Sequence, residues 1–433
     1  MLDIQVIREQ PDRVAEAAKQ KGYKVDITKL LALDNDRREL QTAIEQLRQK
    51  RNEIAQSAKN RKPTSEEIDE GRQLKEDIAA KEEQLKKIDG EFYPLYKAVP
   101  NLPEEDVPVG VSEVENVVAK EWGTKPDFGF KPKNHWEIAE SRDLIDKERA
   151  AKVTGARFAY IKGGLVKLQF AIIQFTLDLL TDENVIAKVI ADNNLDIKPT
   201  AFIPILPPVM IREEMYDQMD RLEPREDRYH IDGDDDNLWL IGSAEHTLGS
   251  MYAGEILDES ALPLRYVGYS TSFRQEAGTY GKDSEGIIRM HQFDKLEMET
   301  FSTAETGKDE HLLMVALQEY MMQQLELPYH VLNKCTADIG KPNARGVDIE
   351  AWMPGQDKYR ETHTADYMTD YQSRRLQTRV RQNNIPRLVH TNDATAFALG
   401  RTMVAIIENN QLEDGQIRIP KNLQKYLGGK ETI

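Results

Sequence analysis

The chain reads as an α+β protein in two parts. An N-terminal antiparallel two-helix coiled-coil arm comes first, and a mainly antiparallel sheet flanked by helices follows. Three observations carry this reading. Two highly charged stretches between about 28 and 98 repeat apolar residues at threes, fours and sevens, the stripe of a coiled coil. A proline-rich segment, 101–111, interrupts the helical pattern. Beyond it, short strand-like runs alternate with helical ones, and one strand, polar loop and second strand run from Arg274 to Glu297. The expected domains are 1–100, a linker over 101–111, and 112–433.

The arm follows from its spacing. Asp12 and Pro11 open a short capping helix before it. Leu33, Leu40, Ile44, Leu47 and Ile54 make the first stripe, and Leu74, Ile78, Leu85, Ile88, Phe92, Leu95 and Val99 the second. Pro63 ends the first helix, and Thr64 or Ser65 caps the next. Two helices of about 33 residues make a hairpin about 50 Å long, with Pro94 expected to bend the second. Such heptads also suit a dimerising coiled coil, but the tight turn favours folding back. Near the turn, Arg48, Lys50, Arg51, Lys59, Arg61 and Lys62 face a single acid, Glu53. In a chain with net charge -17, a basic tip is a candidate for a local phosphate contact rather than part of a nucleic-acid coat, although such a charge run is ordinarily a solvated face.

Composition removes other classes. The 433 residues are enough for two or three domains. Cys335 is the only cysteine, so an intramolecular disulfide or cysteine-based zinc site is excluded. Eight scattered histidines offer no H-x-x-x-H pair. The first residues have no basic-then-apolar signal, and no apolar run nears the roughly 20 residues needed to span a bilayer, so a cytoplasmic location is expected.

In the second part, Leu165, Leu168, Ile172, Phe175 and Leu179 mark a long helix. Thr200–Pro208 reads as an edge or interface strand, because Pro204 cannot donate to a ladder. Leu238–Ile241 and Ala351–Met353 add short strands. The Arg274–Glu297 unit can hold a nucleotide. On a strand Arg274 and Glu276 share a face, one for a phosphate and one for a base amino group, and Phe293 on the returning strand offers a stacking plane. An isolated Arg-x-Glu is ordinarily a surface ion pair.

The wording Phe273-Arg274-Gln275-Glu276-Ala277-Gly278 with Met290-His291-Gln292-Phe293-Asp294-Lys295 resembles motif 2 of the class II aminoacyl-tRNA synthetases, in the version of the seryl-tRNA synthetases. Tyr359-Arg360-Glu361-Thr362-His363-Thr364 and the run from Val389 to Thr402, with Gly400 and Arg401, resemble two further blocks, the latter motif 3. The helix and proline strand before Pro208 resemble motif 1, the dimer interface of that fold, with 181–200 as extra sequence. The resemblance implies catalytic roles for Arg274, Glu361 and Arg401. It implies ATP contacts from Arg274, Gln275, Glu276, Phe293, Glu361, Thr362, His363, Thr364 and Arg401, and Mg²⁺ held with ATP by Glu361 and Thr364. It implies a serine pocket of Ser243, Ala244, Glu245, Arg274, Glu297 and Thr395. Arg48, Arg51, Arg61 and Lys62 would grip tRNA(Ser), with tRNA(Sec) left open, and the protein would be a homodimer. Ser243 stands where Thr is commoner, Asp393-Ala394-Thr395 replaces Asn-Gly-Ser, and Thr-His-Thr replaces a serine-rich run. A ligase that loads a carrier protein would not need the arm. A non-catalytic RNA-binding relative would have lost Arg274, Glu276, Glu361 or Arg401.

Overall fold

The structure is a computed structural model that describes every residue except 58, 60, 234, 235 and 278–285. Asn60 at the arm's turn, and Gly278 with most of the polar loop after Arg274, therefore lie outside the described residues. The chain forms two compact units, Met1–Leu102 and Pro103–Ile433.

In the first unit the apolar stripes become two long helices, Ile27–Ser57 and Ser65–Ala98. Thr64 caps the second through a capping box: its hydroxyl accepts from Glu67 N–H, and the Glu67 side chain accepts from Thr64 N–H. The second helix runs through Pro94. Along the seam Ile44, Leu74 and Ile78 are buried, while Leu40, Leu47, Leu85 and Ile88 are half-buried, because two helices alone cannot enclose a stripe on both sides. At the root the short helices Ile4–Glu9 and Pro11–Gln20 supply Ile7 and Val14, which close a core around Leu30, Phe92 and Tyr96. Ion pairs fix the register there. Arg8 grips buried Asp34 with two bonds of 2.7 and 2.9 Å, and Arg37 pairs with Asp89 at 2.5 Å beneath the Phe92 ring.

The second unit is built on an eight-stranded sheet, whose strands we number β1 (Val117–Trp122), β2 (Ile203–Ile205), β3 (Leu264–Phe273), β4 (Gln292–Ser302), β5 (Tyr329–Asn333), β6 (Arg345–Met353), β7 (Lys358–Thr369) and β8 (His390–Ala398). Their order is β1-β5-β6-β7-β8-β4-β3-β2, antiparallel throughout except for β2, which joins β3 in parallel at the edge. Pro204 sits in β2, where only one side of the strand needs donors. From Pro103 the proline-rich segment lies on this unit: Glu104 N–H bonds Ala344 O and Thr336 N–H bonds Pro108 O, both at 2.8 Å.

Strand alternation sorts the sheet's two faces. Leu296 and Met298 of β4, Ala394 and Ala396 of β8 and Val347 and Ile349 of β6 are all buried on one face, in the core with helices Gly164–Leu180, Gly307–Gln324 and Leu399–Asn409. Each such Leu, Ile or Met contributes about 1.5–3 kcal/mol by leaving water. Lys295, Glu297 and Glu299, the intervening β4 residues, therefore point to the other face.

Two local expectations change. The strand before the loop ends at Phe273, so Arg274 and Glu276 do not share a strand face; Glu276 has φ +54°, in the left-handed region. The returning strand starts at Gln292, and 287–291 are irregular.

Candidate active site

The centre of the site is the crossing between β3 and β4. Arg274 N–H donates to His291 O (3.0 Å), and the His291 ring nitrogen Nδ1 lies 2.9 Å from Arg274 O, so the two ends of the loop are tied where it begins. Arg274 Nε donates to Gly242 O (3.1 Å), which holds the guanidinium 5.3 Å above the centre of the Phe293 ring. The left-handed turn at Glu276 costs a non-glycine residue about 1–3 kcal/mol. It is held by Arg157, which donates to Glu276 O (3.2 Å), and by Arg289, which donates to the carboxylate (2.7 Å).

Arg274, Glu276 and Phe293 line a cleft with Lys295, Glu361, Thr362, Thr364, Thr395, Gly400 and Arg401. A bulge explains how Glu361 and Thr364, three apart on a strand, reach the same cleft. β6 pairs Ile349 with His363 and Glu350 with Glu361, so Thr362 is an extra residue and the parity of the faces switches across it. His363 falls on the far side. Its ring is fully buried against Phe397, burial pushes it down to about 3, and its side chain does not reach the cleft. Gly400 brings the start of helix Leu399–Asn409 close, since a Cβ there would stand 3.2 Å from Ile287 O.

At one end of the cleft, Arg401 donates to the Glu361 carboxylate (2.7 Å) and carbonyl (3.0 Å). The Glu361 side chain is 48% exposed. Enclosure by the walls raises its carboxyl, but Arg401, Lys334 and Arg274 outweigh that and hold it at about 2. The nearby Thr364 hydroxyl is buried without a hydrogen-bond partner at ordinary distance. An anionic carboxylate and an unsatisfied hydroxyl suit hard Mg²⁺. Among the described residues no group of three or more His, Cys, Asp or Glu is placed to hold a metal, so phosphate oxygens and water would complete the ion's shell.

The closed end is built differently. Lys295 Nζ donates to Ser243 Oγ (3.0 Å) and pairs with Glu297, while Ser243 Oγ donates to Glu297 at 3.4 Å. Register places Thr395 of β8 opposite Glu297. Burial pushes Glu297 up to about 8, with Glu245 and Asp393 adding to the rise and Lys295 opposing it. Ala244 and Glu245 lead into a short helix laid against β3, a contact allowed by Gly268, where a Cβ would meet Leu248 at 2.8 Å. Glu245 is pushed up by burial, but beside His246, Lys295 and Arg221 it ends well below the usual carboxylate range.

The structure thus brings Arg274, Glu276, Phe293, Glu361, Thr362, Thr364, Thr395 and Arg401 to one cleft, with Ser243 and Glu297 joined to it through Lys295. Gln275 turns outward and donates to Arg228 O (2.7 Å). Sequence reasoning assigned no role to Lys295 or Arg289. Lys295 was legible as the i−2 neighbour of Glu297 on one strand face, whereas Arg289 lies in an irregular segment with no periodic signal. In the arm unit, Arg48, Arg51, Arg61 and Lys62 are all exposed. Arg48 pairs with Glu82 across the hairpin (2.6 Å), and Arg61 grips Glu67, one of its two bonds being 2.7 Å.

A cleft on an antiparallel sheet, with the arginine and aromatic of one hairpin facing the arginine of a following helix, defines a class II aminoacyl-tRNA synthetase core. The family model "tRNA synthetase class II core domain (G, H, P, S and T)" matches residues 228–410, and "Seryl-tRNA synthetase N-terminal domain" matches 1–103. The chain is 39% identical to the serine–tRNA ligase of Geotalea uraniireducens and 37% identical to that of Nitrosopumilus maritimus, each over all of both chains. The solved seryl-tRNA synthetase of Pyrococcus horikoshii, complexed with ATP, superposes with a TM-score of 0.88 at 36% identity, covering 100% of this chain and 99% of that one. The chain belongs to the seryl-tRNA synthetase family.

Proposed function

We propose that the chain activates L-serine with ATP and transfers it to tRNA(Ser). The observation that supports this best is the meeting in one cleft of Arg274 over Phe293, the Glu361–Arg401 pair and the Ser243–Lys295–Glu297 group. In the first step the serine carboxylate attacks the α-phosphorus of ATP and pyrophosphate leaves; in the second, a terminal ribose hydroxyl of the tRNA attacks the acyl carbon and AMP leaves. The protein does little covalent work in either step, so its contribution is positioning and charge. Arg274 neutralises the α-phosphoryl oxygens as charge moves through them. Phe293 stacks on adenine, and Glu276, steadied by Arg289, accepts from its amino group. Arg401 meets the outer phosphates. Mg²⁺, held by Glu361 and Thr364 together with ATP, would supply charge neutralisation along the phosphate chain. Serine lies at the closed end, where Glu297 and Thr395 read its hydroxyl and Glu245 faces its ammonium. A pocket of buried polar groups rejects an analogue lacking the hydroxyl because its own groups are then left unpaired.

Arg48, Arg51, Arg61 and Lys62 are assigned to the tRNA backbone. A homodimer is assigned to the β2 edge, where Ile203 is 50% and Leu206 79% exposed. A cytoplasmic location accords with these substrates; among the described residues no single helix is long and apolar enough to cross a membrane.

The test is amino-acid-dependent exchange of pyrophosphate into ATP, with serine expected to support it far better than alanine or threonine; equal rates with alanine would refute the serine assignment. Reversing Arg48, Arg51 and Lys62 to Glu should leave this exchange intact while charging of tRNA(Ser) falls about tenfold or more and loses salt dependence. Unchanged charging would remove the arm tip from tRNA recognition. Running tRNA(Sec) in the same assay decides whether it is also a substrate.

A further inference from the structure

One buried carboxylate has no part in that reaction. Asp393 of β8 pairs in register with Glu299 of β4, just as Thr395 pairs with Glu297, so all four lie on the face that closes the serine end of the cleft. Asp393 is 3%, Glu299 0% and Glu297 1% exposed. Arg221 donates to Asp393 (2.9 Å) and stands 3.8 Å from Asp366, the register partner of Asp393 on β7. Neither oxygen of Glu299 has a hydrogen-bond partner. The short helix opposite contributes Glu245 and His246, and Lys295 pairs with Glu297. On the other side β3 sets uncharged Tyr266, Gly268 and Ser270 opposite Glu299, Glu297 and Lys295. The carboxyls of Glu245, Glu297, Glu299, Asp366 and Asp393 are thus crowded around two cations, Lys295 and Arg221.

We propose that Asp393 is a positioning residue for serine recognition: held by Arg221 one strand away from Glu297, its charge governs how readily Glu297 becomes the carboxylate that accepts the substrate's hydroxyl. This rests on the reading that Glu297 binds serine. The geometry makes Asp393 oppose Glu297, since like charges confined in a low-dielectric pocket raise the cost of ionising either. Burial lifts Asp393 to about 7 against the pull of Arg221, and Glu297 to about 8. A charged Asp393 therefore raises the pH at which Glu297 ionises. Glu299 is lifted well above the usual range by burial and then by Asp393.

The experiment is the pH dependence of kcat/KM for serine in pyrophosphate exchange between pH 6 and 9.5, a ratio that reports groups of the free enzyme. In the parent it rises with pH as Glu297 ionises. Asp393→Asn should move that rise to lower pH, lower the serine KM about threefold near pH 7, and leave it unchanged at pH 9, the effect of roughly half a pKa unit. Asp393→Ser makes the same change of charge with a smaller side chain and should give the same shift. Glu299→Gln imitates the uncharged acid and should leave the midpoint in place, and none of the three should alter the ATP KM. A midpoint that stays put in both Asp393 variants, or a loss of equal size at every pH, would overturn the inference. Absence of serine-dependent exchange in the parent would instead overturn the functional reading beneath it.

Discussion

The two ends of the cleft hold the same kind of side chain in opposite charge states. Glu361 stands among Arg401, Lys334 and Arg274 and is held at about 2; Glu297, paired with Lys295 but fully buried with Glu245 and Asp393 nearby, is pushed up to about 8. At Glu361 three cations outweigh enclosure, whereas at Glu297 burial outweighs the single cation Lys295. At the phosphate end, Arg401, Lys334 and Arg274 keep the Glu361 carboxylate anionic where a metal and phosphates need it. At the amino-acid end, burial with Glu245 and Asp393 opposes ionisation of Glu297, and Lys295 favours it. The lesson is that one residue type acquires two functions from the sign of the charge around it.

The largest effect that would expose this division is at Arg274. Arg274→Ala should lower serine-dependent exchange by about 10²–10³, the loss typical of one donor aimed at developing charge, about 2.7–4 kcal/mol. Arg274→Lys should recover little, because an ammonium cannot both bond Gly242 O and lie flat over Phe293. Near-normal turnover with only a higher ATP KM would mean that Arg274 binds the ground state and that the phosphate end is not the reactive one.

Next in size is a crossed pair. Glu361→Gln should raise the Mg²⁺ concentration needed for half-maximal exchange by about tenfold, since an amide is a poor ligand for a hard cation, and leave the serine KM alone. Glu297→Gln should raise the serine KM by about tenfold and narrow the preference over alanine, leaving the Mg²⁺ requirement alone. If either variant moved both quantities equally, the two ends would be one coupled site and the comparison would fail.

How much of this was readable depends on whether the signal was local. The arm was legible because a heptad stripe needs no partner beyond a few turns, and Pro63 with Thr64 marked the turn by rules that act within four residues. The mainly antiparallel sheet was likewise visible in the spacing of its short strands. The parity of faces was not. Arg274 and Glu276 read as strand neighbours, yet β3 ends one residue earlier, where the chain turns to be tied by His291. The bulge at Thr362 is silent in sequence because no residue type demands it, and it sends His363 into the core while bringing Glu361 and Thr364 together. Arg221 and Asp393 stand far apart in the chain, and their pairing follows only from the tertiary packing that lays an irregular segment against β8. Periodicity reports which residues share a face locally; it carries no register between strands, and the acidic cluster behind the serine pocket consists of little else.

The smallest expected effect is on stability, and it separates the two ends by sign. A carboxyl raised in the folded state favours folding fully below its unfolded value, near 4.5, and loses that contribution as pH rises through the folded value, here about 8. A carboxyl lowered in the folded state does the reverse: Glu361 contributes above about 4.5 and loses its contribution only as pH falls through about 2. Between pH 5 and 9, therefore, Glu297 titrates and Glu361 does not. Thermal unfolding without substrate should show a melting temperature that declines across this range. Glu297→Gln should reduce the decline, because the variant no longer carries the group that titrates there. Glu361→Gln should follow the slope of the parent, whatever its absolute melting temperature. If Glu361→Gln flattened the slope and Glu297→Gln did not, the charge states assigned to the two ends would have to be exchanged, and with them the roles of metal ligand and hydroxyl reader.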